Sequence, residues 1–281
     1  MDLVAQGPAL TNAEVAAIAA LADANGIHAI AGGSAPAYRL TRVGRQSGIA
    51  EHCAAAGIDC AFVPPDLVRD RVRIVAMDMD STLITIECID EIADRAGIKH
   101  AVAAVTAAAM RGEIDFTESL MRRVALLAGL PVIELERVYA ERVTLSPGAE
   151  RMLEGFRAAG AKTLLVSGGF TFFTDQLAAR LGFDETVANT LEIDAGRLTG
   201  RVIPPIVDAG VKASRLSAMR NRLAGADGGG LALAIGDGAN DVPMLKAADI
   251  SIAYHAKPIV RAQATYAIDH CGLDGVLNLF R

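Results

Sequence analysis

Two hydrophobic patterns alternate along residues 73–281. Short, continuous apolar runs predict strands at residues 74–77, 163–166, 231–235 and 250–253. Such runs are typical of strands that are buried on both faces of a parallel sheet. Helical periodicity between them predicts helices at residues 148–159, 171–181, 211–223 and 241–248. The alternation therefore predicts a doubly wound α/β domain over residues 69–281.

A stretch of about 60 residues interrupts this alternation directly after the first core strand. Residues 85–146 contain no strand pattern, and helical segments are expected at residues 88–96, 99–109, 116–128 and 132–141. A helical insertion of this length is better placed as a cap over the sheet than as part of it. A glycine-rich run at residues 225–230 is the one low-complexity loop.

Residues 1–68 have a different organisation. Short apolar segments at residues 3–5, 27–31, 37–41 and 58–63 predict strands, and residues 12–24 and 46–56 predict helices. The resulting βαββαβ order is that of a small α+β, ferredoxin-like unit. Pro64-Pro65-Asp66 marks the expected boundary.

Composition excludes several classes of protein. The chain has 281 residues, 52% hydrophobic and 21% charged, which indicates a well-buried core rather than disorder. The net charge of −6 provides no basic face for nucleic acid. The longest apolar runs are too short for a membrane span, and the first residues lack the positive region of a secretory signal. The four cysteines show no zinc-binding spacing, so we expect buried thiols in a cytoplasmic protein.

Candidate chemistry lies where three predicted strands end. Asp78 and Asp80 follow the first strand, Ser167 and Gly168 follow the second, and the run from Gly236 to Asp241 follows the third. Parallel strands present their carboxyl ends at one edge of a sheet, so these clusters are expected to converge. Four carboxylates in one pocket require a cation, and an all-oxygen ligand set suits Mg²⁺.

A phosphoryl group suits the remaining residues of this edge. Gly168 and Gly169 leave backbone N–H groups open to phosphate oxygens, just before a predicted helix. Lys212 adds a cation from the helix that precedes the third strand. Taken alone, each of these features is also compatible with an ordinary polar loop or a solvated lysine.

The four motifs together resemble those of the haloacid dehalogenase superfamily and, within it, the phosphoserine phosphatases. The resemblance covers about residues 73–281 and rests on Asp78-Met79-Asp80-Ser81-Thr82-Leu83, Ser167-Gly168-Gly169-Phe170, Lys212 and Gly236-Asp237-Gly238-Ala239-Asn240-Asp241. It implies hydrolysis of O-phospho-L-serine to L-serine and phosphate, the last step of L-serine biosynthesis, through an aspartyl-phosphate.

The resemblance also assigns the reaction roles. It makes Asp78 the nucleophile and Asp80 the general acid and base, with phosphate contacts from Ser167, Gly168 and Lys212. Attack of a carboxylate on a phosphate monoester brings two anions together, so a cation must screen their approach. Asp80 must be protonated when substrate binds, which requires a raised pKa.

The metal ligands follow from the same resemblance. It implies that Mg²⁺ is held by Asp78, by the backbone carbonyl of Asp80 and by Asp237. Asn240 and Asp241 would support the phosphate and the surroundings of the metal.

Substrate choice is expected in the helical insertion. The resemblance places Glu87 on the substrate ammonium and Arg123 on its carboxylate, with Phe116 and Met110 as apolar cover. Phosphoserine carries both head-group charges, and an arginine can bind a carboxylate through two hydrogen bonds. Arg122 competes with Arg123, and only the family register favours Arg123.

Several alternatives remain open. The same chemistry could act on phosphothreonine, phosphohomoserine or another small phosphate ester, or could transfer phosphate to an acceptor other than water. A non-catalytic sensing protein with this fold would be expected to have lost one of the key residues Asp78, Asp80, Lys212 or Asp237, and all four are present. Related enzymes often carry an amino-acid-binding regulatory (ACT-like) domain with the βαββαβ order, but residues 1–68 would be a short version of it. A docking or dimerisation unit without a ligand is the alternative, and a homodimer is left open.

Overall fold

The computed structural model describes residues 1–223 and 230–281. The glycine-rich run predicted at residues 225–230 therefore lies outside the described residues, except for its last glycine. Among the described residues, no helix is long and apolar enough to cross a membrane.

The first part of the chain forms a small antiparallel sheet covered by two helices. Its elements are β1 (Asp2–Gln6), α1 (Asn12–Ala22), β2 (Gly26–Ala29), β3 (Ala37–Thr41), α2 (Ile49–Ala55) and β4 (Asp59–Val63). The strand order is β2-β3-β1-β4. Successive side chains of a strand point to opposite faces, and in strand β1 both faces are buried. Leu3 packs under the two helices, whereas Val4 belongs to the core of the larger unit.

This element order agrees with the expected βαββαβ pattern. The division of the chain into two domains at residue 68, and any kinship to regulatory domains, stay predictions.

A seven-stranded sheet organises the rest of the chain. Its strands are β5 (Val72–Met77), β6 (Lys162–Phe170), β7 (Glu185–Asp194), β8 (Arg197–Ile203), β9 (Leu231–Gly236), β10 (Ile250–Tyr254) and β11 (Tyr266–Ile268), in the order β11-β10-β9-β5-β6-β7-β8. All neighbouring strands are parallel except β7 and β8. Val75 and Met77 of β5 face one apolar core and Ile74 and Ala76 face another. A sheet buried on both faces confirms the predicted doubly wound α/β fold.

Nine helices accompany this sheet in the described residues. They are α3 (Cys88–Arg95), α4 (Lys99–Met110), α5 (Phe116–Ala125), α6 (Ile133–Arg142), α7 (Ala149–Ala158), α8 (Thr171–Leu181), α9 (Ala209–Leu223), α10 (Val242–Ala247) and α11 (Pro258–Arg261).

Helices α3 to α6 form the insertion that the sequence predicts. The chain leaves and rejoins the core at one place, because Thr85 N–H donates to Thr144 O at 2.9 Å and Ile84 bridges Leu145. The side chain of Ser146 also donates to the carbonyl of Thr82 at 2.6 Å.

Three strands are absent from the sequence prediction. β7 and β8 form an antiparallel pair at one edge of the sheet, and β11 forms the other edge. The residues of β7 and β8 are mostly half-buried or exposed, so they lack the continuous apolar run by which the central strands are recognised.

The two sheets are joined through the end of the described chain. The buried carboxylate of Asp59 accepts hydrogen bonds from the backbone N–H groups of residues 269, 270 and 271 at 2.8–3.2 Å. Gln6 pairs with Asn278, and Arg39 donates to the carbonyls of Asn278 and Phe280. Buried polar groups with this many partners fix one relative placement of the two units.

Candidate active site

The candidate active site is one cavity at the carboxyl ends of the central strands. β5 pairs directly with β6 on one side and with β9 on the other. The three predicted polar turns are therefore neighbours in space. The cavity is lined by Asp78, Asp80, Glu87, Ile89, Phe116, Leu120, Arg123, Ser167, Gly168, Gly169, Phe170, Asp237 and Asn240.

The turn after β5 directs two carboxylates into this cavity. Asp78 N–H donates to Ile235 O at 3.1 Å, which ties the end of β5 to β9. Residues 79–83 then form one wide turn, closed by the bond from Ile84 N–H to Met79 O at 3.0 Å. Ser81 has a φ of 56°, a left-handed conformation that is strained for a residue with a side chain. The strained turn places both Asp78 and Asp80 along the cavity wall.

Lys212 forms a buried ionic cluster with two aspartates. Its Nζ lies 2.7 Å from Asp78 Oδ1 and 2.7 Å from Asp241 Oδ1, and all three side chains are buried. Burial alone would lower the pKa of Lys212, but the two carboxylates outweigh it and raise the pKa. The pKa of Asp78 is raised by burial and by Asp241, and Lys212 acts against both. The lysine is therefore a fixed positive charge beside Asp78.

Three carboxylates form a cluster that suits a cation. One oxygen each of Asp78, Asp237 and Asp241 lie within 4.8 Å of one another. Burial, and then the charge of Asp241, raise the pKa of Asp237 to about 6. The cluster contains three carboxyl groups and one lysine, so it has an excess of negative charge. Carboxylate oxygens are the ligands that a hard divalent cation prefers.

The partners of these carboxylates distinguish their roles. Both oxygens of Asp241 are engaged, one by Lys212 and the other by Gly238 N–H at 3.0 Å. In Asp237, Oδ1 accepts from the Thr82 hydroxyl at 2.8 Å, and among the described residues Oδ2 has no hydrogen-bond donor. Asp241 is thus better suited to support the cluster than to bind the ion directly. The contribution of the Asp80 carbonyl stays a prediction.

Asp80 has the environment of a proton donor. Its Oδ1 accepts a hydrogen bond from Cys88 N–H at 3.2 Å, at the start of α3. Burial, and then the charge of Glu87, raise the pKa of Asp80 to about 7. A carboxyl group with this pKa can hold a proton near neutral pH and release it during a reaction.

The turn at residues 167–169, where β6 leaves the ladder with β7, has no room for side chains. A Cβ on Gly169 would lie 2.7 Å from Asp80 Oδ2, and one on Gly168 would lie 3.1 Å from Phe116 Cζ. Gly169 N–H donates to Ser167 Oγ at 2.8 Å. The turn packs between the acid and the insertion, and α8 begins directly after it. This is an arrangement in which N–H and O–H donors can surround an anion.

The insertion supplies the opposite wall. The Glu87 carboxylate accepts from the Ser81 hydroxyl at 2.7 Å, and burial raises its pKa. Arg123 is part-buried, and burial lowers its pKa. Neighbouring Arg122 points elsewhere, pairing with Glu118 at 2.5 Å on the exposed face of α5. Arg123, rather than Arg122, is therefore the arginine that faces the cavity.

Met110 lies apart from the other predicted site residues. Lys212 and Asp241 do not line the cavity either, but they form the ionic cluster with Asp78. The Met110 side chain is 71% exposed at the last position of α4, where the helix ends at Arg111 and Gly112. The helix ends with Met110 in solvent, and the role of this residue as apolar cover for the substrate stays a prediction. Phe116 does line the cavity.

Sequence reasoning missed two further residues of this region. The Thr82 hydroxyl holds Asp237, and buried Asn189 holds the carbonyl of Gly168 at 2.8 Å. Thr82 lies within the first motif and could have been found there. Asn189 lies on the unpredicted strand β7 and carries no motif.

Comparison with known proteins defines the class of this protein. A sequence profile of haloacid dehalogenase-like hydrolases matches residues 75–246. The chain belongs to the haloacid dehalogenase-like hydrolase family, as its motifs predict.

The proteins to which this chain is similar include phosphoserine phosphatases. A phosphoserine phosphatase from Polaromonas sp. is 51% identical over 234 residues, covering 80% of this chain and 97% of that protein. The unliganded crystal structure of a probable phosphoserine phosphatase from Vibrio cholerae matches with a TM-score of 0.84 at 34% identity, covering 99% of this chain and 85% of that one. A phospho-aspartyl intermediate analogue of a phosphoserine phosphatase matches with a TM-score of 0.68 at 35% identity, covering 75% and 99% of the two chains.

Proposed function

We propose that this chain is a Mg²⁺-dependent phosphatase that hydrolyses O-phospho-L-serine to L-serine and phosphate through a phosphorylated Asp78. One observation carries the proposal: a single cavity is lined both by Asp78 and Asp80 and by Glu87 and Arg123. The first pair suits phosphoryl transfer, and the second matches an ammonium and a carboxylate. The names of the relatives support the same substrate.

The first half-reaction is assigned to Asp78 and Asp80. An oxygen of Asp78 attacks phosphorus, and the bond from phosphorus to the serine oxygen breaks. Asp80, with its pKa raised to about 7, gives its proton to the departing serine oxygen. Lys212, 2.7 Å from Asp78, remains charged throughout and offsets the negative charge that gathers there.

The second half-reaction reverses the role of Asp80. A water molecule attacks the phosphorus of phospho-Asp78, and Asp80 takes the proton that the water loses. The aspartyl oxygen leaves, which regenerates the Asp78 carboxylate and releases phosphate. Splitting the hydrolysis in this way replaces one difficult displacement with two easier ones.

The phosphoryl oxygens are assigned to the donors around them. Ser167, the backbone at Gly168 and Asn240, which line the cavity, would contact them, together with Lys212 beside Asp78. Mg²⁺ held by Asp78, Asp237 and the carbonyl of Asp80 would neutralise charge between carboxylate and phosphate, with Asp241 as a support. The charge excess of the carboxylate cluster supports this assignment.

We assign substrate recognition to the helical insertion. Glu87 would hold the ammonium of phosphoserine, Arg123 its carboxylate, and Phe116 its apolar part. We further propose that the enzyme is cytoplasmic and completes L-serine biosynthesis, with residues 1–68 as an ACT-like domain. The buried contacts of Asp59 and Gln6 support a docked unit.

Phosphate release tests the proposal. O-phospho-L-serine, phosphothreonine and an aryl phosphate are each assayed with Mg²⁺ and with EDTA. We expect turnover that depends on Mg²⁺ and strongly favours phosphoserine. Turnover of the aryl phosphate alone would keep the Asp78 chemistry and reject the assigned substrate, and no turnover by folded protein would reject both.

A further inference from the structure

Asn189 is a buried side chain that joins two loops of the site. It lies on β7 with no solvent exposure. Its Nδ2 donates to Gly168 O at 2.8 Å, and its Oδ1 accepts from Val207 N–H at 2.7 Å. Neither partner is near it in the sequence, so one amide group links the turn at residues 167–169 to the segment before α9.

The first of these bonds fixes the turn that carries Ser167. Val166 pairs with Val187 and Phe170 with Asn189, so three residues of β6 leave the ladder between those pairs. Their backbone groups need other partners, and Asn189 supplies one for Gly168 O. In a trans peptide the carbonyl and the next N–H point in opposite directions. Holding Gly168 O toward Asn189 therefore directs Gly169 N–H toward Ser167 Oγ, which it meets at 2.8 Å.

This arrangement leaves the Ser167 hydroxyl proton available. The oxygen already accepts from Gly169 N–H, so the hydroxyl can donate its own proton into the cavity. Hydrogen bonds in such a chain polarise one another in a buried site. The position and polarity of the Ser167 donor thus depend on Asn189.

The second bond fixes the segment that leads to Lys212. Val207 directly precedes Asp208, whose Oδ1 accepts from Val211 N–H at 2.9 Å and whose backbone carbonyl accepts from Lys212 N–H at 3.1 Å. Asp208 therefore sets the first turn of α9, from which Lys212 reaches Asp78. A shift of Val207 would be passed to the lysine through one helical turn.

We infer that Asn189 is a positioning residue for phosphate: through Gly168 and Val207 it aligns the Ser167 donor and the Lys212 charge on the same anion. This inference rests on the proposed function for its phosphate site, but not on the identity of the substrate. Asn189 itself lines no part of the cavity.

Two substitutions test the inference. Asn189→Leu keeps a similar volume and removes both hydrogen bonds, and Asn189→Ser is a milder change should the leucine variant fail to fold. Inorganic phosphate is the probe, measured by calorimetric titration with Mg²⁺ and as a competitive inhibitor. We expect phosphate to bind about 10- to 100-fold more weakly, the effect of misplacing hydrogen bonds to a charged group. The loss in kcat/KM should be the same for phosphoserine and for an aryl phosphate, which share only the phosphoryl group.

Asn278 provides the matched control. It is also a buried asparagine, and its Nδ2 donates to Gln6 Oε1 at 2.6 Å, on the interface with the N-terminal sheet. Asn278→Leu and Asn278→Ser should lower the thermal midpoint as the Asn189 variants do, while leaving the affinity for phosphate unchanged. If the Asn189 variants behave like these controls, Asn189 is only structural and the inference is overturned.

A double-mutant cycle tests the route through Ser167. In a Ser167→Ala background, Asn189→Ser should weaken phosphate binding less than in the wild type, because the donor it aligns is already gone. Full additivity, or failure of every Asn189 variant to fold, would overturn the inference. If the wild-type protein binds phosphate but does not hydrolyse phosphoserine, the proposed substrate is rejected. The comparison of phosphate binding between the Asn189 and Asn278 variants would still test the inference.

Discussion

The residues assigned to the phosphate and the residues assigned to the amino-acid head group come from different parts of the fold. At the phosphate end, Asp78, Ser167 and Lys212 are each at most 5% exposed and come from the sheet or from α9 behind it. At the head-group end, Glu87, Phe116 and Arg123 come from the helical insertion, and all three are more exposed. The residues assigned to the reaction therefore come from the core, and those assigned to substrate choice come from the insertion, which also hydrogen-bonds to the β7–β8 hairpin through Gly129 and Leu130. The two groups still meet at Asp80, because Cys88 N–H of the insertion donates to its Oδ1 at 3.2 Å.

Substitution of Asp78 is expected to cause the largest loss of turnover, and to do so with every substrate. Asp78→Asn removes the nucleophile at nearly constant volume, so turnover should fall by roughly 10⁴-fold or more for phosphoserine and aryl phosphate alike. Steady-state assays and mass spectrometry of quenched enzyme measure the loss of turnover and of the phosphorylated protein. Asp194→Asn, an exposed carboxylate at the end of β7, is the control. Residual turnover near the wild-type rate would contradict the covalent route.

Substitution of Gly168 and Gly169, in the turn at residues 167–169, should affect the two groups of residues differently. Gly169→Ala places a Cβ 2.7 Å from Asp80 Oδ2 and 2.9 Å from Met79 Cε. We expect kcat to fall by about 100-fold, because a small displacement of a catalytic group has an effect of that size. Gly168→Ala meets the end of the Phe116 ring at 3.1 Å, which can shift by a few tenths of an ångström, so its effect should be smaller and lie mainly in KM. Equal kcat losses in both variants would contradict this separation.

Removing Arg123 should affect one substrate only. Arg123→Ala is expected to raise KM for phosphoserine by about 10- to 100-fold, since a charge-assisted hydrogen bond to the substrate carboxylate is lost. KM for an aryl phosphate should change little. Arg122→Ala is the matched control, because that arginine is exposed and paired with Glu118. An equal rise for both substrates would place Arg123 outside the head-group site.

Met110 should show the smallest effect. Its side chain is 71% exposed and does not line the cavity, so Met110→Ala should leave KM for phosphoserine within about twofold of the wild type. Kinetics on phosphoserine check this value. A large rise in KM would mean that α4 approaches the substrate when it binds, in a conformation different from this one.

The central part of the site could be predicted from the sequence for a physical reason. β5, β6 and β9 are buried on both faces, so each appears as an apolar run with its polar residues just beyond the end. The positions of Asp78, Ser167 and Asp237 follow from that pattern together with the geometry of parallel strands.

The remaining parts could not be predicted in this way. Adjacent residues of a helix point about 100° apart, so the choice between Arg122 and Arg123 depends on how α5 packs, which the local sequence does not specify. Met110 was expected at the substrate only from the family resemblance, whereas in this structure its side chain is exposed and away from the cavity lining. Asn189 acts through backbone atoms of distant loops, and backbone partners leave no trace in the sequence.

The carboxylate of Asp59 has a consequence for the order in which this protein is made. Its partners are the backbone N–H groups of residues 269–271, and those of Gln6 and Arg39 lie between residues 275 and 280. The N-terminal sheet leaves the ribosome first, but these hydrogen bonds can form only with residues synthesised more than 200 positions later. Until then Asp59, Gln6 and Arg39 must remain hydrated. Docking of the N-terminal sheet through these bonds can therefore be completed only after residues 269–280 have been synthesised.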